Sequence, residues 1–308
     1  MSVATFIDSV MAESAHLPAP EMAATVSELT ERDRAEVLAL LSERPVHTVG
    51  MVGLIRDNGI VSEHHRGTFY GCRNSGGRLE GVALVGHHTL VEARTRRALR
   101  EFSLVAQACT RTHMIMGEVE AVEDFWNAYA DEGRKMRRVC REVLFELRRP
   151  ALSGLSQLML ETDEAGGLRL ATAADVDLIA PVHAALAEAE SGVNPLDTDP
   201  EGFVRRCLRR IEQGRTWVVV SDGRLVFKTE VQADTPEVVY LEGVYVHPQE
   251  RGTTLGRRYM GQLCRRLLAR TRVLCLLANE ENERAQRFYR ICGFKARAVY
   301  DTIFLRRD

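Results

Sequence analysis

The stretch HPQERGTTLGRRYM, residues 247–260, brings Arg251, Gly252, Thr253, Thr254, Leu255, Gly256, Arg257 and Arg258 together in one short joint. Ahead of it, VVYLEGVYV (238–246) is rich in β-branched and aromatic residues, the composition of a half-buried strand. Behind it, Tyr259, Met260, Leu263, Cys264, Leu267 and Leu268 recur at spacings of three and four, which marks one apolar helix face. A strand-to-helix joint aims successive backbone N–H groups and the positive end of the helix dipole at one point, so its natural ligand is an anion. The three arginines add charge beside that point. A strand, a glycine and a helix also meet in purely structural joints, so the elements around this one have to decide.

Those elements occur twice. From residue 67 the chain reads GTFYGCRN, a glycine turn, RLEGVALVG, the helix-like TRRALREFSLVAQAC, the strand-like HMIMGEV and the helix-like AVEDFWNAYADEG. Later the order returns as TWVVV, SDG, RLVFKTEVQ, VVYLEGVYV, the helix from Gly256, RVLCLLA and ENERAQRFYRICGF. At an offset of 160, Gly133 falls on Gly293, Tyr129 on Tyr289, Lys135 on Lys295, Val139 on Val299 and Val143 on Ile303, the mark of an internal duplication. We divide the chain into an N-terminal appendage (1–26, with the proline-bearing SAHLPAP), a first unit (27–150) opening on the helix-like SELTERDRAEVLALLSE, a linker (151–167) and a second unit (168–308). Thr172 and Asp175 have the spacing of a capping box at the first helix of that second unit.

Composition narrows the partners. With 41 basic and 43 acidic residues in 308, the net charge of −2 offers no general attraction to nucleic acid or to an anionic membrane. The seven cysteines are odd in number and lack a C-x-x-C pair, which reads as reduced core thiols. No run reaches the ~20 apolar residues of a membrane span, and the N-terminus is acidic where a signal peptide is basic. The expectation is a soluble, cytoplasmic protein. The pairs His64-His65 and His87-His88 point to opposite sides of a strand rather than converging, so no metal is expected.

The joint followed by NERAQRFYRICGF resembles the GNAT superfamily of acyl-CoA-dependent N-acetyltransferases, whose loop reads R/Q-x-x-G-x-G/A and whose later helix carries N-x-x-A-x-x-x-Y-x-x-x-G-F. Arg251 through Gly256 fill the first pattern, with Thr254 where the family usually has a glycine; Asn282, Ala285, Tyr289, Gly293 and Phe294 fill the second. The resemblance spans 168–308 and extends to 27–150 as architecture, similar to tandem GNAT proteins with a degenerate first unit. It implies an α+β fold of two tandem GNAT-like units, each a mixed, mostly antiparallel sheet flanked by helices. The first unit's joint, TLVEARTRRALREF, has no glycine and is expected to have lost coenzyme binding, while Trp126 and Tyr129 there read as core packing.

The resemblance also implies a chemistry: transfer of an acetyl group from acetyl-CoA to a primary amine by direct attack on the thioester. The pyrophosphate would lie on Arg251, Gly252, Thr253, Thr254, Leu255, Gly256 and Arg257, with Asn282 and Ala285 on the later helix lining the coenzyme site. Tyr289 would protonate the departing thiolate, and a backbone N–H of Val244 or Val246 would face the carbonyl oxygen. Glu242 has two readings: a base for the ammonium, or half of a cross-strand ion pair with Lys228 across the turn at 233–236. Glu188 and Glu190, with Asp197 and Asp199, would draw a cationic acceptor to the groove; Asp199-Pro200 also reads as a helix cap. The acceptor is expected to be a small amine or an amino acid, with a protein terminus as a further candidate. The alternative is a non-enzymatic acyl-CoA-binding sensor.

Overall fold

The computed structural model describes residues 25–149 and 167–306. The linker and the appendage therefore lie outside the described residues, apart from Gly167 and the pair Thr25 and Val26. The first half contains strand β1 (Thr25–Glu28), helices α1 (Arg34–Ser42) and α2 (Val49–Asn58), strands β2 (Gly67–Arg73), β3 (Leu79–Gly86) and β4 (His88–Ala93), α3 (Arg96–Ala108), β5 (Met114–Glu118), α4 (Val119–Tyr129) and β6 (Met136–Arg148). The second contains β7 (Arg169–Leu170), α5 (Val176–Ser191), α6 (Pro195–Thr198), α7 (Pro200–Glu212), β8 (Thr216–Ser221), β9 (Arg224–Asp234), β10 (Val238–Val246), α8 (Leu255–Leu268), β11 (Val273–Asn279), α9 (Glu283–Ile291) and β12 (Lys295–Leu305). The segment expected to start as a helix at Ser27 instead opens as a strand, since Thr25–Glu28 pair with Tyr70–Arg73 of β2. Thr30 and Asp33 then form a capping box ahead of α1, just as Thr172 and Asp175 do ahead of α5.

All twelve strands join one mixed sheet in the order β1-β2-β3-β4-β5-β12-β6-β11-β10-β9-β8-β7, with β4/β5 and β10/β11 parallel and every other pair antiparallel. The last strands of the two halves have changed places. β6 leaves the first half and pairs with β11, while β12 leaves the second and pairs with β5. Between them β6 and β12 form an antiparallel seam in which Arg141 faces Asp301. Those two residues stand at the duplication offset of 160, so an approximate two-fold axis passes through their paired hydrogen bonds of 2.8 Å. Asp301 is buried there, and the bidentate fork fixes the register at the centre of the seam.

Helices cover both faces. On one side α3 and α4 pack over Phe102, Ile115, Phe125 and Tyr129, and α8 and α9 over Phe145, Met260, Leu276 and Phe294. On the other, α1 and α2 cover the first half while α5 and α7 cover the second. α2 also reaches across: its Val49 packs with Ala233, Val238, Cys275 and Tyr300, and its Asp57 meets Arg215 at 2.6 Å. This crossing depends on a missing side chain. A Cβ placed on Gly53 would stand 2.5 Å from the Cβ of Ala233, so only glycine lets α2 lie on β9. Gly53→Val should therefore push α2 off the sheet, costing about 1–3 kcal/mol in denaturant titration. Unchanged stability would mean that the two surfaces are not in contact.

Candidate functional site

The joint after β10 has the expected form. Arg251 is extended and its Nε donates to the carbonyl of Val246 at 2.9 Å, while Gly252 takes φ +87° with open space where a side chain would be. Thr253 Oγ1 donates to the carbonyl of Glu250 at 2.7 Å and accepts from the N–H of Leu255 at 3.3 Å. Thr254 adopts helical angles, φ −76° and ψ −18°, with its side chain exposed. The one departure from the glycine pattern thus falls where a β-branched residue carries no backbone strain. Gly256 is buried, and a Cβ there would lie 3.1 Å from Val246 and 3.5 Å from Phe288, so its smallness closes α8 onto β10 and α9. As in any helix, the first-turn N–H groups lack partners within α8 and face the joint.

β10 and β11 stay paired only from Val238/Val273 to Leu241/Leu276, although β10 runs on to Val246 and β11 to Asn279. The strands part at Glu242. There Gly243 takes φ +60° and the pairing of β10 with β9 becomes irregular until Tyr245. Val244 and Val246 lie beyond the last β11 pairing, so on that side their backbone N–H groups have no ladder partner. Opposite, Asn282 caps α9 by accepting from the N–H of Ala285 at 3.0 Å. Four residues beyond Ala285, Tyr289 is 7% exposed among the rings of Phe145, Phe288 and Phe294. Burial above all, then the charges of Cys292 and Glu190, pushes its hydroxyl upward, so it stays protonated at neutral pH.

The bulge at Gly243 corrects one expectation. Lys228 faces Tyr245, not Glu242, and its ion pair runs along its own strand to Glu230 at 2.8 Å. Glu230 also meets His183 Nδ1 of α5 at 3.1 Å. Burial opposes ionisation of Glu230, but Lys228 and His183 outweigh it and hold the carboxyl well below its usual range. The same exchange, against the cost of burial, leaves His183 raised to about 9. Glu242 is thereby left facing Glu230 across the strands, without an ion pair among the described residues.

Two further carboxylates approach Glu242. Glu190, near the end of α5, is exposed as a residue, yet it is pushed up to about 8, first by burial of its carboxyl and then by Glu242 and Glu142. Glu142 is half-buried on β6, opposite Asn279 of β11 and Tyr300 of β12; burial and then Glu242 raise it to about 7, against a 3.4 Å hydrogen bond from Thr302. The registers place Glu142, Tyr240 and Glu242 on one face of the sheet, below α5. Glu142 was not legible in the sequence, because nothing in VCREVLFELR tells which sheet that strand will join.

Other expected residues lie elsewhere. Glu188 turns to Asn194, accepting at 3.1 Å, and Asp197 is exposed on α6. Asp199 caps α7 by accepting from Gly202 at 2.9 Å, with Pro200 as the first helical residue. In the first half, Thr95 caps α3 only two residues after β4, and Gln107 donates to the carbonyls of Ala128 and Tyr129 at 2.9 and 3.0 Å, tying α3 to α4. Tyr129 lies in the core, and its hydroxyl accepts from the N–H of Arg134 at 3.2 Å. His87 stacks on His88 and His113, and among the described residues no group of histidine, cysteine and carboxylate side chains is arranged to hold a metal ion.

No curated protein matches the chain in sequence. Residues 183–294 match the model of the acetyltransferase (GNAT) family. Among solved structures, a tandem GNAT protein from the clavulanic acid biosynthesis pathway shares the fold with a TM-score of 0.58 at 15% identity, over 91% of this chain and 98% of that one. A GCN5-related N-acetyltransferase from Sphaerobacter thermophilus aligns with a TM-score of 0.54 at 12% identity, over 91% and 94%. A Drosophila protein aligns with a TM-score of 0.64 at 11% identity, over 92% and 99%. At such identities the likeness is one of fold. Residues 183–294 thus match the acetyltransferase (GNAT) family model, within a chain whose fold is similar to that of a tandem GNAT protein.

Proposed function

We propose that this acyltransferase is an N-acetyltransferase that moves the acetyl group of acetyl-CoA to a primary amine. The observation that carries the reading is the parting of β10 from β11 at Glu242, with the anion-holding joint at one end and Tyr289 beside it. GNAT enzymes generally use acyl-CoA. The joint fits such a ligand: Gly252 leaves open space, Thr254 is helical, and the first turn of α8 aims its N–H groups, with that of Leu255 shared with Thr253 Oγ1, at a pyrophosphate. Arg251, Thr253, Leu255, Gly256 and Arg257 complete that cradle, and Ala285 and the Asn282 cap set α9 beside it.

The bound coenzyme supplies a thioester carbonyl open to attack. The chain's residues do the rest. A backbone N–H of Val244 or Val246, unpaired where the strands part, donates to the carbonyl oxygen as it gains charge. Tyr289 gives its proton to the departing sulfur, and Glu242 and Glu190 hold the acceptor's positive charge over the gap. A sensor without catalysis would need a joint spoiled by Thr254 and no base at the gap; it is the less supported reading, since Thr254 is helical and several carboxyls surround Glu242 there.

Acetyl-CoA should raise the thermal midpoint, and Thr254→Gly should leave its affinity within about threefold, because no positive φ is needed there. A large gain in affinity would show that the threonine obstructs the coenzyme. Tyr289→Phe should lower kcat by ~10²–10⁴ with coenzyme affinity unchanged. Tyr129→Phe, at the matching place in the first half, should cost about 1–2 kcal/mol of stability and leave turnover within about threefold. The reverse pattern would place the active cleft in the wrong half.

A further inference from the structure

We propose that Glu142, carried into the second half's sheet by the exchanged strand β6, takes the proton from the acceptor ammonium, so that the first half supplies a catalytic residue. The inference rests on the transferase reading and deepens it. Its ground is placement. β6 is the immediate neighbour of β11 beyond the point where β10 departs, and Glu142 stands opposite Asn279, the last residue of β11. On that face Glu242 comes from β10 and Glu190 from α5, and Arg137 of β6 donates to the carbonyl of Ser191, tying the end of α5 to the strand that carries Glu142.

The charged and polar groups facing Glu142 are Glu242 and Tyr240 on β10, Glu190 on α5, Thr302 on β12, Cys140 on β6 itself and Asn279 on β11, whose amide donates to the Cys140 thiol at 3.3 Å; Arg210 of α7 bears on Glu242. Lys228 and His183 lie farther along the same face and are engaged by Glu230. An ammonium is the ligand that relieves three crowded carboxyls, and an acceptor with its own carboxylate next to the nitrogen would add a fourth. The acceptor class is therefore a cationic amine without an adjacent carboxylate, such as a diamine or an amino sugar, rather than an α-amino acid.

The proton count closes. The ammonium gives one proton to Glu142; its lone pair then forms the N–C bond as the C–S bond breaks and Tyr289 protonates the sulfur. The nitrogen's second proton restores Tyr289, and Glu142 returns its own to water. Because the base must be ionised, kcat/KM should rise with pH through an acidic limb near 7, which the neighbouring carboxyls share as a coupled group.

The test is thiol release from acetyl-CoA with a diamine, across pH. Glu142→Gln should lower kcat by at least about 10²-fold, abolish the limb and leave the acetyl-CoA thermal shift intact. Thr302→Val, which removes the hydrogen bond favouring the ionised form, should move the limb to higher pH while the enzyme remains folded and active. Glu142→Gln with wild-type turnover and the same limb, or an unmoved limb in Thr302→Val, would overturn the proposal and leave the transferase intact. A wild-type protein inert toward every amine would sink the transferase reading and this one with it.

Discussion

The bidentate contact between Arg141 and Asp301 is the point on which the architecture turns. Two copies of one fold have each given the other a final strand, and the copies meet at the pair of residues that occupy the same place in both. An antiparallel seam between equivalent strands is two-fold by construction, so one register must hold for both halves at once. Glu146 adds a second lock, buried between Arg148 and Arg297 near the end of the seam. The consequence is a sheet with no break between its halves, in which every residue of β6 belongs in sequence to one half and in space to the other.

Symmetry in the backbone is undone in the clefts. In the first half a two-residue connection and the Thr95 cap leave no glycine joint before α3, the Gln107 amide ties α3 to α4, and Arg96 pairs with Asp124 at 3.0 Å. At the duplication offset those places are held by Leu267, Gly256 and Arg284, which form no such ties among the described residues. The opposite face shows the same contrast. In the first half Glu92 is clamped by Arg44 and Arg94, and Arg44 also pairs with Glu118, so the carboxylates there are spent on structure. In the second half Glu142, Glu190 and Glu242 repel one another without an arginine in ion-pair contact among the described residues. Crowding of this kind weakens the folded state as pH rises through the raised values, a cost that a bound cation removes.

Local chemistry explains what was readable in the sequence. The capping pair Thr172 and Asp175, the Asp199-Pro200 helix start, the Asn282 cap and the glycine joint each act within a few residues, so their spacing alone announces them. The repeat was legible too, through Gly133 with Gly293 and Tyr129 with Tyr289. Three features were not. The strand at Thr25–Glu28 is held by β2, some forty residues away, and the sequence there has the polar, acidic look of a helix start. The partner of Lys228 depended on a bulge at Gly243 that a simple alternation cannot show. Glu142 became part of the site only because β6 crosses to the other half, and an exchanged strand has the same sequence as one that stays home.

In the proposed mechanism a duplicated fold carries one coenzyme cleft, in the second half, while the first half contributes a strand and a carboxylate to it. Calorimetric titration of the intact chain with acetyl-CoA tests this most directly. The account predicts a stoichiometry close to one per chain. A value close to two would mean that the first half still binds the coenzyme, and would contradict the division of labour between the halves.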